Sequence, residues 1–253
     1  SKVKGVDFIA VNTDAQDLHN SLAPKKIHIG KNLTKGLGAG MNPEIGKQAA
    51  EETKDEIQEA IKGSDMVFVS GGFGGGTATG AAPIIAKTAR DQGILTIAVV
   101  TKPFLFEGSQ RMRIAEDGLA ELKEMVDAMI VIPNDKLLHL IQKETSFLSA
   151  FAMCDEVLRQ AVEGISDLII LPGIINLDFA DVKAILKNAG TALMGIGLSR
   201  GEKRAEEAAR LAINCPLVET SIEGAHGVLF AVAGGENMTM MEIQEAARIV
   251  TEA

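Results

Sequence analysis

The chain has 253 residues, 46% of them hydrophobic, and carries a net charge of −9 with neither tryptophan nor tyrosine. That length fills one large domain or two ordinary ones, and the mean hydropathy of +0.16 supports a sizeable core. The acidic balance argues against a general nucleic-acid surface, which selects basic patches and stacking aromatics, and no membrane-spanning run or secretory leader is expected.

Residues 7–11 form an apolar strand that ends in Asn12-Thr13-Asp14, a polar turn at the strand's carboxyl end, where ligands collect in open α/β sheets. Next comes Gly36-Leu37-Gly38-Ala39-Gly40-Met41-Asn42-Pro43-Glu44, a glycine-rich loop opening a helix. Asn42 reads as its N-cap, Pro43 as its first residue and Gly63 as its close. A well-capped helix explains this stretch; so does a loop that approaches a phosphorylated ligand.

Residues 66–69 are a short buried-type strand, followed by Ser70-Gly71-Gly72-Phe73-Gly74-Gly75-Gly76-Thr77-Ala78-Thr79-Gly80 and a helix in which Pro83 is expected within the first turn. Five of the six residues 71–76 are glycine, which lets backbone N–H groups approach an anion at a helix N-terminus. Thr77 and Thr79 are expected to add hydroxyls to the same pocket. A tight turn is the plainer reading. The stretch is not a P-loop, because neither Gly30-Lys31 nor Gly46-Lys47 is followed by Ser or Thr, and Gly-x-Gly-x-x-Gly fails in every frame of residues 71–80.

Residues 94–100 and 128–132 are two further apolar strands, separated by a helix carrying Arg111 and Arg113 and followed by Pro133-Asn134-Asp135-Lys136. The strand–helix alternation is that of a doubly wound sheet. Glu107 and Arg111, four apart, read first as a surface ion pair. From Phe147 a helix carries the apolar seam Phe147, Phe151, Cys154, Leu158, Ala161, Ile165 and Leu168, closed by Pro172-Gly173. Cys154 and Cys215 have no metal spacing and read as reduced thiols.

Asp178 and Asp181, three apart, enter the next helix. They can cap it, or they can position a water for attack on a phosphate. Residues 191–196 and 228–232 suit strands, and 201–213 and 239–251 suit amphipathic helices, with no phosphate loop, metal cluster or nucleophile–base pair among them. This last part reads as an accessory or interface domain. The chain starts at Ser1, enters a strand almost at once and stops on a helix, so a fragment of a longer protein is expected.

The segment 74–80, Gly-Gly-Gly-Thr-Ala-Thr-Gly, is close to the tubulin and FtsZ signature Gly-Gly-Gly-Thr-Gly-Thr-Gly. It departs only at Ala78, which must then keep an ordinary backbone conformation. Further motifs match in order: Asn12-Thr13-Asp14-Ala15-Gln16, the loop 36–44, Pro103-Phe104-Leu105-Phe106-Glu107-Gly108, Ile132-Pro133-Asn134-Asp135, Asn176-Leu177-Asp178-Phe179-Ala180-Asp181-Val182 and Glu219-Thr220-Ser221-Ile222-Glu223-Gly224-Ala225. The chain therefore resembles the FtsZ family over nearly its whole length. The family begins upstream of the matched part, with a strand and another glycine-rich loop, and ends beyond it, in final strands and a flexible tail.

The resemblance implies an α/β fold: a tubulin/FtsZ-type, Rossmann-like GTPase domain (residues 1–146) joined by a long core helix (147–171) to a smaller α+β C-terminal domain (172–253). It implies a cytoplasmic cell-division GTPase at mid-cell that polymerises head to tail, binds GTP or GDP with Mg²⁺, and meets other division proteins and membrane adaptors through a carboxyl tail. Neither nucleic acid nor direct membrane insertion is implied. Gly38, Ala39, Gly40, Gly74, Gly75, Gly76, Thr77, Ala78 and Thr79 would hold phosphates, Glu107 would meet the ribose, and Arg111 would lie beside the nucleotide. Asn134 and Asp155 would reach the guanine, while Asp178 and Asp181, with Asn176, would act on the nucleotide of a neighbouring copy. Mg²⁺ would be held by phosphates and water. The competing readings are a non-catalytic scaffold of the same superfamily and an ordinary Rossmann oxidoreductase.

Overall fold

Short apolar runs alternating with capped amphipathic helices give a parallel α/β arrangement in the computed structural model, which describes residues 3, 5–138, 146–171, 178–215, 222 and 224–253. In chain order these are β1 (Ile9–Asn12), α1 (Ala15–Asn20), β2 (Lys25–His28), α2 (Lys31–Thr34), α3 (Pro43–Glu52) and α4 (Lys54–Ile61). Then come β3 (Met66–Gly72), α5 (Thr77–Asp91), β4 (Leu95–Lys102), a 3-10 turn (Leu105–Glu107), α6 (Ser109–Met125), β5 (Ala128–Pro133) and α7 (Asn134–Leu137). The chain continues through α8 (Phe147–Ile170), α9 (Phe179–Leu186), β6 (Gly190–Ala192), α10 (Arg204–Ile213) and α11 (Met240–Glu252).

All ladders are parallel. β1 pairs with β2, and β3, β4, β5 and β6 pair in that order. Alternate residues of β4 serve opposite faces. Leu95, Ile97 and Val99 join Ile130 and Ile132 against Ala161 and Ile165 of α8 and Val182 of α9. Ala98 and Val100 join Met129 against Ala86 of α5 and Ala115, Leu119 and Leu122 of α6. Among the described residues the two ladders are not hydrogen-bonded to each other. They nevertheless share cores, since Ile9 and Val67 pack around Ile61, Ala89 and Ile94, and Phe8 shares the α8 cluster with Phe68.

Two ends of the sheet matter for function. α8 begins at the carboxyl edge of the strands, where Phe151 meets the Phe104 ring at 5.2 Å. It ends at the amino edge, where Ile170 covers Gly5 just ahead of β1. Its 24 residues make a rod of about 36 Å. The chain leaving α9 is also at the amino edge: Arg90, at the end of α5, donates to Asn188 Oδ1 at 3.3 Å, and Gly190 N–H donates to Asp127 O at 2.9 Å. Among the described residues no helix is long and apolar enough to cross a membrane.

Several expectations shift. β3 runs on through Gly72, because its Ser70, Gly71 and Gly72 stay in register with β4. α5 starts at Thr77, so Pro83 lies inside the helix rather than in its first turn, and it offers no N–H to the Thr79 carbonyl. The helix from Pro43 breaks at Thr53, whose hydroxyl donates back to Ala49 O. The strand expected at 191–196 is confined to Gly190–Ala192. Beyond it Gly195 and Gly197 sit against the Ala212 and Ala208 carbonyls of α10, an approach that serves helix packing rather than a ladder. Residues 228–232 form no strand, and Val228 and Val232 remain exposed. The helix expected from Gly201 begins at Arg204. The Pro172-Gly173 stop lies outside the described residues.

α11 opens as expected at Thr239, in a capping box in which Glu242 Oε2 accepts from Thr239 N–H at 2.8 Å. Arg204 of α10 donates to Glu242 Oε1 at 2.6 Å, joining the two helices. Arg204 first, and the Thr239 amide second, hold the Glu242 carboxyl down from 4.5 to about 2. A carboxyl depressed in the folded state stabilises it above its ordinary pKa and loses that contribution as protons bind. Protection of the α11 amides, relative to their intrinsic exchange rate at each pH, is therefore expected to fall as pH drops from about 4.5 towards 2. Glu242→Gln is expected to exchange faster at neutral pH and to respond less to acid. An acid profile unchanged by Glu242→Gln would refute the assignment.

Candidate functional site

The carboxyl ends of β1, β3, β4 and β5 all lie on one edge, so the segments that follow them converge: Thr13-Asp14, Phe73 to Gly76, Pro103 to Gly108, and Asn134-Asp135. Two helix N-termini meet there. Asn42 caps α3 by accepting from Glu44 N–H at 3.1 Å, and Gly76 precedes α5. A Cβ on Gly76 would stand 2.8 Å from both the Ala39 Cβ and Asn42 N, so only glycine lets the loop 36–42 lie against the loop 73–76. The free N–H groups of both helix starts, and their positive dipole ends, thus face one region.

Within the cradle each glycine has its own cause. Gly74 adopts φ +102 and lies against the Arg111 carbonyl, where a Cβ would come within 2.9 Å. Gly75 has an ordinary φ, and a Cβ there would meet nothing within 4 Å, so neither strain nor packing requires glycine. What its missing side chain keeps is open space beside the helix start, the condition for close approach of an anion. Ala78 lies in the helical first turn of α5 with an ordinary φ, as the sequence required.

Thr79, expected to line the pocket, is instead buried, and its Oγ1 accepts from Gly74 N–H at 3.0 Å. It shapes the loop from within. Thr77 does face the region, and its Oγ1 lies 2.6 Å from that of Thr13 at the end of β1. Asp14 caps α1 by accepting from Gln16 and Asp17 N–H, and bridges to Leu37, bringing Gly38 to the same edge.

Glu107 and Arg111 form the ion pair their spacing gives, with Arg111 Nη1 donating to Glu107 Oε2 at 2.6 Å. They do not share one helix, since Glu107 closes the 3-10 turn and Gly108 separates it from α6. Glu107 Oε1 also accepts from Phe104 N–H at 3.0 Å. Asp135 ties the next segment in, accepting from Leu105 N–H at 3.1 Å. Asn134 is 6% exposed, and its Oδ1 is a buried acceptor with no partner among the described residues. A buried polar atom of that kind is normally satisfied, so an external donor fits it. Asp155 is exposed on α8. Burial, then Asp155 and Glu107, push the neighbouring Cys154 thiol up to about 11.

Asp178 and Asp181 are not part of this assembly. Asp178 Oδ1 accepts from Asp181 N–H at 2.8 Å and caps α9, and both residues are exposed. Their helix follows the amino-edge end of α8 and leads into the amino-edge start of β6. The carboxylates thus belong to a helix whose exit is at the amino edge, opposite the edge that carries the glycine loops. Asn176 lies outside the described residues. Sequence reading missed the Thr13–Thr77 contact, whose partners are 64 residues apart, and the anchoring role of Asp135.

Known proteins share this geometry. The tubulin/FtsZ family GTPase domain matches residues 1–142, and the FtsZ family C-terminal domain matches 190–253. A solved structure of an empty FtsZ dimer from M. jannaschii is 49% identical, covers 99% of this chain and 73% of its own, and superposes with a TM-score of 0.92. A mutant of M. jannaschii FtsZ gives the same identity and TM-score, over 98% of this chain and 75% of its own. A GDP-bound CetZ1 monomer from Haloferax volcanii is 26% identical, with 81% and 63% coverage and a TM-score of 0.66. The converging loops thus occur in a chain with the GTPase domain of the tubulin/FtsZ family, and the chain belongs to the FtsZ family.

Proposed function

We propose that the chain binds and hydrolyses GTP and assembles head to tail into filaments of a mid-cell division ring. The observation that carries this reading is the separation of two half-sites: glycine loops at the carboxyl edge of the sheet, exposed carboxylates at the amino edge. Stacking copies edge to edge brings one copy's carboxylates to the next copy's loops, which is how a heterologous contact extends into a filament. A solved structure of the M. jannaschii relative is a dimer, which supports self-association for this chain.

In this reading Gly38, Ala39 and Gly40 approach the terminal phosphate, and Gly74, Gly75, Gly76, Thr77 and Ala78 present N–H and hydroxyl donors to the phosphate oxygens. The open side of Gly75 fits that approach. Thr79 keeps Gly74 in place. Glu107 exchanges part of its contact with Arg111 for the ribose. The orphaned Asn134 Oδ1 and the Asp155 carboxylate are acceptors suited to the donor edge of guanine. A divalent cation such as Mg²⁺ on the phosphates would offset the repulsion between triphosphate and the incoming Asp178 and Asp181. Those carboxylates orient the attacking water, so chemistry waits for a neighbour.

The test is GTP turnover per chain across a wide range of protein concentration, with nucleotide affinity measured in parallel. Turnover per chain is expected to rise from near zero to a plateau as copies meet. Binding with a concentration-independent rate would overturn hydrolysis between copies. Polymer that persists equally with GTP and with a slowly hydrolysed analogue would favour the non-catalytic scaffold.

A further inference from the structure

Thr13 is fully buried, and its backbone is held from two sides: its carbonyl lies 3.2 Å from Thr34 Oγ1 and 3.3 Å from His28 Nε2. Its own hydroxyl has a single hydrogen-bond partner among the described residues, Thr77 Oγ1 at 2.6 Å. Thr77 is the first residue of α5, half-buried, at the mouth of the glycine cradle. Two hydroxyls at that distance share one proton, and the direction of sharing decides what Thr77 shows to the outside. If Thr77 donated to Thr13, it would present lone pairs to an anion, and the Thr13 proton would be left in a buried place without an acceptor. If Thr13 donates, its proton is satisfied and the Thr77 proton is free to point outward.

We infer that Thr13 is a positioning residue that sets the polarity of Thr77, making it an outward hydrogen-bond donor to a phosphate oxygen of the nucleotide. This rests on the GTP-binding reading above. The chain of donors, Thr13 to Thr77 to phosphate, is polarised in one direction, and each bond strengthens the next. Thr13 itself touches no nucleotide. Its effect passes through the Thr77 hydroxyl and vanishes when that hydroxyl is removed.

The experiment is a double-mutant cycle on the full chain, with GTP affinity measured by calorimetric titration and folding by far-UV circular dichroism. Thr13→Val keeps the shape and removes the donor, and is expected to weaken GTP binding about three- to tenfold. Thr13→Ser restores the donor and is expected to bind within about twofold of the unaltered chain. In a Thr77→Val background, Thr13→Val is expected to add no further loss. Should Thr13→Val not fold, Thr13→Ala takes its place in the same cycle. Losses that multiply independently, or a Thr13→Ser variant as weak as Thr13→Val, would overturn the inference while leaving the function intact. Absence of GTP binding by the unaltered chain would instead overturn the functional reading, and this inference with it.

Discussion

Gly80→Ala is expected to destabilise the chain by about 3 kcal/mol or more and to abolish nucleotide binding. A Cβ on Gly80 would overlap the Pro43 carbonyl and stand 2.7 Å from Lys47 N, and both are backbone of α3 rather than movable side-chain ends. α3 must back away from α5, and its N-terminus carries the loop 36–42 with it. Fold and site are damaged by one methyl group. Gly75→Ala is the informative contrast, because its methyl would point into open space. Its melting temperature is expected to match that of the unaltered chain while GTP affinity falls by more than about tenfold, since the methyl occupies the anion's approach. Thermal melts by circular dichroism with parallel nucleotide titrations separate the cases. A Gly80→Ala variant that melts normally would contradict the packing described for α3 and α5.

Asp181→Ala is expected to lower GTP turnover about a hundredfold or more while leaving GTP affinity and melting temperature nearly unchanged. Its side chain is exposed, so little else depends on it. Asp178 requires a different substitution, because its carboxylate also caps α9. Asp178→Asn keeps a good cap and removes the charge, whereas Asp178→Ala would add a capping loss of about 1 kcal/mol. The sharper experiment mixes the two chains at a GTP concentration low enough to leave the Gly75→Ala cradle largely empty. Gly75→Ala then lacks an occupied cradle and Asp181→Ala lacks the incoming carboxylate, yet about a quarter of the junctions in an equal mixture pair an intact cradle with an intact carboxylate. Turnover is expected to reappear on mixing. If the mixture stays as inactive as its parts, the carboxylates do not act between copies.

What the sequence made legible is what short spacing controls. The caps at Asn42 and Asp178 were readable because a cap and the N–H it serves are two or three residues apart. The cradle was readable because its glycines are consecutive. Pro83 was misplaced because the end of β3 is set by pairing with β4, and Phe73 N–H still donates to Thr101 O, which lies on another strand. Residues 228–232 are a continuous apolar run of the kind strands use, but such a run describes only hydrophobicity, and a ladder requires a partner backbone. The burial of Asn134 and the meeting of Thr13 with Thr77 depend on how the strands lie side by side, which no local pattern encodes.

The loop 36–42 leads into α3 and Thr13 follows β1, whereas the cradle, Glu107 and Asn134 follow β3, β4 and β5. The two sets meet where α3 packs on α5 and where Thr13 touches Thr77. A polyanion held by both loops adds a third tie between them, so nucleotide binding stiffens that junction as well as filling it.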